Sequence, residues 1–331
     1  MGKMGIMHSG ILSSIPGVCV KAICEKETIL VKLGRKLLPE TVSFYKNEGE
    51  MLEREEIDAV FVTTPIDTHV PLILRLSQAD NQISLFVEKP LAVSGEEARN
   101  ACQGVRGLHG VYMVGFQKRF SPTFQKAREF IADGSIGDGI CFRASTFSSD
   151  VLREGGSWRF RKQSGGVLLD LAPHLLDLLL WFFGQPISVS SVQKKRMYSK
   201  KVDDYVRAEM SYKSGLEGFV EACWSMKGYR LPETTIEVKG RNGTLTVTDD
   251  TLRIESRREA GDICEPRVFN KQFFDTSVPF LLGDFEYTRE DQEFLNCIEK
   301  KTNPGTEFSE ATKVNDLIDQ IDRAWQESGE P

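Results

Sequence analysis

Short, nearly continuous apolar runs alternate with amphipathic stretches over the first third of the chain. Residues 18–24, 59–63, 83–87 and 111–115 read as strands. Residues 28–38, 70–79 and 95–104 repeat apolar positions at helical spacing, and 41–45 reads as a weaker strand. Runs such as Ala59-Val60-Phe61-Val62 suit strands covered on both faces. Strand and helix in alternation imply right-handed βαβ units around a parallel sheet. After about residue 120 the rhythm changes. A helix over 123–133 ends at Gly134, Gly137 and Gly139 make a turn, and a strand follows at 140–148. A strongly apolar helix lies near 171–183. Period-2 runs then recur at 188–193, 207–212, 217–222, 235–239 and 243–247. Turn signals such as Lys213-Ser214-Gly215 and Arg241-Asn242-Gly243 separate some of them. This predicts an open, mainly antiparallel sheet in an α+β domain. The tail reads as two helices, 289–300 and 309–327, and the chain has no internal repeat.

Length and composition narrow the picture. At 331 residues the chain exceeds one ordinary core, since single cores stop growing near ~250–300 residues. Two domains are expected, 1–120 and 121–288. With 40% hydrophobic and 27% charged residues, disordered and fibrous classes are excluded. The longest apolar run, 175–183, is interrupted by Asp177 and is far short of the roughly 20 residues that span a bilayer. A net charge of −6 favours neither nucleic acid nor an anionic membrane as partner. The basic cluster Lys194, Lys195, Arg196, Lys200 and Lys201 reads as a solvated strand end. Seven cysteines, without metal-ligand or CxxC spacing, fit reduced thiols in a cytoplasmic protein with no metal site and no leader sequence.

Four constellations carry candidate chemistry. Gly2-Lys3-Met4-Gly5 has the spacing of the second and third glycines of a dinucleotide fingerprint. Glu25 lies 20 residues after Gly5, at the end of a strand, where a carboxylate can accept the ribose hydroxyls. That charge prefers NAD over NADP, and Lys26 beside it leaves NADP open. The first glycine and the strand before it have no counterpart in the 331 residues. The sheet is therefore expected to open beside that position, and a longer chain to be the working form. Thr63-Thr64-Pro65 and His69 follow the strand 59–63, at the end where open α/β sheets bind ligands. Glu88-Lys89-Pro90 directly follows the strand 83–87. A lysine there, partly desolvated beside a cofactor, can serve as an acid or base. The fourth stretch runs from Gly165-Gly166 through Asp170 and His174 to Asp177. Pro173 is tolerated only in a first helical turn. This predicts Asp170 near the N-cap and a polar line of Asp170, His174 and Asp177 on an apolar helix. Such groups are not buried without partners.

Taken together, these motifs resemble the Gfo/Idh/MocA family of NAD(P)-dependent oxidoreductases. The likeness runs from Gly2 to the C-terminal helix. Glu88-Lys89-Pro90 and the Gly165…Asp170…His174 stretch are its most specific parts, supported by Gly115-Phe116-Gln117-Lys118-Arg119-Phe120 and Trp158-Arg159. The resemblance implies an N-terminal Rossmann domain, lacking its first strand, joined to an α+β substrate domain, with helices near 289–327 packing back on the first. It implies cofactor contacts from Gly2, Lys3, Met4, Gly5, Glu25, Thr64, Pro65, His69, Glu88 and Lys89. Lys89, His174 and Asp170 would be catalytic, Asp170 orienting His174, with Lys89 or His174 as the principal base. Arg119 and Trp158, with Asp170 and His174, would hold the substrate.

The implied reaction moves hydride between a secondary hydroxyl of a sugar, polyol or cyclitol and nicotinamide. Two rivals stand beside it: an NAD-dependent glycosidase on the same scaffold, and a non-catalytic remnant. Specificity is expected on the second domain's sheet and the loop 149–164. Phe219 and Val220 on that sheet suggest a homodimer or homotetramer.

Overall fold

A computed structural model describes residues 2–80, 82–153, 158–162, 165–256, 266–271 and 285–328. The first elements are α1 (Lys3–Ser14), β1 (Ala22–Cys24), α2 (Thr28–Leu37), β2 (Ser43–Tyr45), α3 (Glu48–Arg54) and β3 (Ala59–Val62). Next come α4 (His69–Ala79), β4 (Ser84–Glu88), α5 (Gly95–Gly104), β5 (Tyr112–Gly115), α6 (Pro122–Ala132) and β6 (Gly139–Phe147). A short α7 (Val167–Asp170) precedes α8 (Ala172–Phe183). Strands β7 (Ser188–Lys195), β8 (Tyr205–Ser211), β9 (Glu217–Cys223), β10 (Glu233–Gly240), β11 (Gly243–Thr248), β12 (Thr251–Ser256) and β13 (Arg267–Asn270) lead to α9 (Phe285–Lys300) and α10 (Phe308–Ser328).

The chain groups into two compact units: Met1–Ala92, Glu96–Gln117 and Ser277–Thr312 in the first, and Val93–Gly95, Lys118–Thr276 and Lys313–Pro331 in the second. In the first unit the strands are parallel, as the apolar runs predict. They lie in two pieces, β2 beside β1 and β3-β4-β5, with no ladder joining β1 to β3 among the described residues. This is the break expected between the second and fourth positions of a doubly wound order. All five residues of β4 are buried, so a continuous apolar run ends in a charged residue inside the protein. Phe61 and Phe86 stack at 4.7 Å, and Phe294 of α9 meets both edge-on at 5.3 and 5.8 Å. Each such side chain contributes roughly 1.5–3 kcal/mol by leaving water. Helix α3 was not legible as an amphipathic stretch; its start is fixed by Asn47, whose Oδ1 accepts the Glu50 N–H at 2.8 Å.

The second unit holds an eight-stranded sheet in the order β13-β12-β11-β10-β6-β9-β8-β7. Every ladder is antiparallel except β6 beside β9. Alternate residues point into the core: Phe142 and Ala144, Val206 and Ala208, Val220 and Ala222, Ile236 and Val238 are all buried. Strands β12 and β13 extend the sheet past the last strand the periodicity predicts. The basic cluster begins at the end of β7, and two of its members have acidic partners. Lys194 pairs with Asp203 and with Asp322 of α10, and Arg196 with Asp203. No helix among the described residues is long and apolar enough to cross a membrane.

Candidate active site

The first unit collects its candidates at the carboxyl ends of its strands. Helix α1 begins right after Gly2, which caps it with no side-chain hydrogen bond. Lys3 and Met4 are its first residues. A Cβ on Gly5 would come within 3.0 Å of the Thr63 Oγ1, so the glycine lets the helix close on the end of β3. First-turn amides with no side-chain cap suit an anion. Glu25 follows β1, and its Oε1 accepts the Glu27 N–H at 2.9 Å. Burial pushes its carboxyl up, but this bond and its neighbours outweigh burial and hold it below the usual range. An open helix start, a glycine that a side chain would fill, and a carboxylate one strand over fit the pyrophosphate and ribose of a dinucleotide.

After β3, the Thr68 hydroxyl lies 2.6 Å from the Thr64 Oγ1 and 2.7 Å from the Pro65 carbonyl oxygen. His69 is placed inward. It is 1% exposed, with Nδ1 at 3.0 Å from the Pro90 oxygen and Nε2 at 2.9 Å from the Thr64 oxygen. Burial pushes its imidazole below the ordinary value. The neutral ring that burial favours donates through one nitrogen only, so it bonds one of these two carbonyl oxygens while its other nitrogen faces the second.

Glu88 ends β4, and its Oε2 accepts the backbone N–H of Lys89 at 3.1 Å. The Lys89–Pro90 bond is cis. Behind Glu88 stands a residue the motifs pass over. His8 of α1 is 1% exposed, with Nε2 at 3.2 Å from the Glu88 Oε1. Its Nδ1 faces the Asp291 oxygens at 2.8 and 3.0 Å. Burial alone would lower its imidazole; the carboxylates of Asp291 and Glu88 raise it to about 10. The signal that could have found it is a histidine three positions after Gly5 on a helix that must pack against a sheet.

The second unit carries the other candidates. Gly166 caps α7 at φ +100°, a left-handed conformation that favours glycine. Asp170 is the last residue of α7 and Leu171 caps α8, so Asp170 lies next to the N-cap, as expected. Pro173 lies in the first turn of α8, as expected, and the short turn α7 before it is an addition. His174 is 9% exposed on the first turn of α8. The Asp170 carboxylate meets the Arg159 Nε at 2.9 Å. Asp177 is gripped by Arg119 through Nε at 2.8 Å and Nη2 at 2.6 Å, with Arg119 lying 5.7 Å from the Trp181 ring centre. The polar line therefore finds arginine partners for both acids. Arg119, expected at the substrate, has a bidentate structural role with Asp177. Trp158 opens the 3-10 turn Trp158–Phe160, and residues 154–157 and 163–164 of the expected specificity loop lie outside the described residues.

Known proteins agree with this anatomy. Residues 36–116 match the oxidoreductase family with an NAD-binding Rossmann fold, and 124–246 match the GFO/IDH/MocA C-terminal domain. The chain is 30% identical over 265 residues to the scyllo-inositol 2-dehydrogenase (NAD(+)) of Bacillus subtilis (strain 168), covering 76% of this chain and 72% of that one. It is 26% identical over 252 residues to the myo-inositol 2-dehydrogenase of Thermotoga maritima, covering 74% and 72%. A levoglucosan dehydrogenase solved with NADH shares the fold at a TM-score of 0.86 and 22% identity, over 98% of this chain and 95% of that chain. The parallel strands, the glycine-started helix and the antiparallel second sheet are thus those of one lineage, and the chain belongs to the GFO/IDH/MocA family as an NAD-dependent dehydrogenase of the CH–OH class.

Proposed function

We propose that this dehydrogenase oxidises a secondary hydroxyl of a cyclitol, polyol or sugar. The observation that carries the reading is the Glu88-Lys89-Pro90 turn at the carboxyl end of a fully buried strand, where the backbone of Lys89 is held by a carboxylate. Ligands of open α/β sheets bind at this end. Support for the substrate class comes from relatives whose names are inositol dehydrogenases.

In this reading Gly5 and the first turn of α1 hold the dinucleotide's phosphates, and Glu25 holds its ribose. Bound NAD supplies the hydride acceptor. Lys89 donates a hydrogen bond to the oxygen of the reacting hydroxyl and stabilises the negative charge that develops there as its proton leaves. His174 takes or returns that proton, its ring set on the first turn of α8. Asp170, paired with Arg159, fixes the start of that helix. Moving the proton lets the carbinol carbon release hydride, so general acid–base catalysis contributes roughly 10²–10⁴-fold.

We also assign the enzyme to the cytoplasm, as a homo-oligomer joined through the second unit's sheet, on which Arg207 lies 3.8 Å over the Phe219 ring. Light scattering tests the assembly; a monomer contradicts it. The test of function is a panel of cyclitols, polyols and sugars with NAD. Sustained NADH formation with a matching ketone supports the reading. Glycoside hydrolysis without net NADH contradicts it in favour of the glycosidase, and no NAD binding at all in favour of the remnant.

A further inference from the structure

The cluster behind Glu88 lies in the first unit and is built from three elements: His8 on α1, Glu88 on β4 and Asp291 on α9. The three side chains are 1%, 11% and 0% exposed. Around the imidazole stand Phe61 at 5.5 Å, Phe86 at 5.0 Å and Tyr287 at 6.2 Å between ring centres. The titratable groups facing it are Asp291 and Tyr287 from α9 and Glu88 from β4; β3 offers only Phe61. A neutral imidazole donates through one nitrogen only. Here each nitrogen faces an acid, and with both acids ionised only the imidazolium makes both contacts as hydrogen bonds; burial pushes the Asp291 carboxyl up while its bond to His8 draws it down. Two buried acids without it would be strongly disfavoured.

The geometry has a direction. Asp291 holds one side of His8, and His8 holds the Glu88 Oε1. The other oxygen, Oε2, accepts the Lys89 N–H. Gly115 leaves space here, since a Cβ on it would lie 3.6 Å from that oxygen and 2.9 Å from the Phe86 ring. We propose that His8, charged and clamped between Asp291 and Glu88, is a positioning residue for Lys89: it fixes the Glu88 carboxylate that in turn fixes the lysine's backbone. This rests on Lys89 acting in the reaction as proposed above.

The experiment uses the full chain with His8→Gln and Asp291→Asn, the second removing a charge while nearly keeping shape. Nitrogen-15 NMR of labelled histidine in the unsubstituted protein should find His8 as imidazolium at about pH 8, below its raised value of about 10; a neutral ring there overturns the proposal. Amide exchange at Lys89 should rise at least about tenfold in either variant while the α4 amides stay within about twofold, because loss of one clamp frees one amide and not the fold. Equal exchange at Lys89, or equal acceleration everywhere, overturns the proposal. With NAD and myo-inositol, His8→Gln should lower kcat about tenfold at nearly constant KM for NAD, since misplacement of a reacting group costs rate more than binding. If Lys89→Ala abolishes turnover and His8→Gln leaves kcat unchanged, the proposal fails. If Lys89→Ala is itself without effect, the catalytic reading of Lys89 fails, and the exchange result still decides whether His8 holds its backbone.

Discussion

At the residue scale, the site is a matter of which polar groups have already found partners. His69 and Arg119 were plausible ligand contacts by sequence, and each also has a partner inside the protein: a backbone carbonyl for His69 and Asp177 for Arg119. Sequence spacing places a residue on a face but does not say what stands opposite it. Lys89 and His174 remain the candidates for acid–base work. Lys89→Ala and His174→Ala should each lower kcat by roughly 10²–10⁴-fold with NAD still bound; steady-state kinetics with calorimetry checks this, and an unchanged kcat removes that residue from the mechanism. Arg119→Ala leaves Asp177, 1% exposed, as a buried charge without its guanidinium. It should cost about 3–5 kcal/mol in urea unfolding, whereas Arg119→Met with Asp177→Leu should recover most of that. A stable Arg119→Ala protein would mean that the pair does not hold α8.

The same scale carries a pH dependence. His8 binds its proton more tightly in the folded chain, at about 10 against 6.5 for an ordinary histidine. Its stabilisation is therefore fully present below about 6.5 and is lost as the pH rises toward about 10. Unfolding free energy should fall by on the order of a few kcal/mol across that window, at about 1.4 kcal/mol per unit of difference. The slope should be shallower in His8→Gln. Urea titrations at several pH values measure it, and identical slopes contradict a charged His8.

At the element scale, most of the fold was legible. Continuous apolar runs marked β3, β4 and β5 because both faces of a parallel sheet are covered, and period-2 runs marked β6 to β11 because one face of the second sheet is not. Leu252 and Ile254, alternate and buried, carried the same signal for β12. Helix α3, seven residues long, depends on its Asn47 cap more than on an apolar stripe. Pro173 marked the start of α8, whereas the four-residue turn α7 before it had no apolar period of its own to show it. Helix α9 tests how the first unit is held. Phe294 is fully buried against Phe61 and Phe86, the rings that also line His8. Phe294→Ala should cost about 3–5 kcal/mol and loosen Asp291 from His8, seen as faster amide exchange across α9. Unaltered stability would show that α9 is held elsewhere.

At the scale of the whole molecule, two folding logics share one chain: parallel strands in the first unit, and an antiparallel sheet covered by α6 and α8 in the second. Family and cofactor were legible in the sequence because they rest on backbone-limited motifs, glycines and a proline, which leave few alternatives. The substrate was not, because side chains on a polar sheet or loop fit many hydroxyl patterns. The measurement that bears most directly on the central claim is reduced nicotinamide formed per ketone formed, followed over many turnovers with scyllo-inositol, myo-inositol and related polyols. A ratio of one NADH per ketone, lost in Lys89→Ala, is the predicted result. Product without net NADH, or no oxidation of any cyclitol, polyol or sugar by a chain that binds NAD, would contradict it.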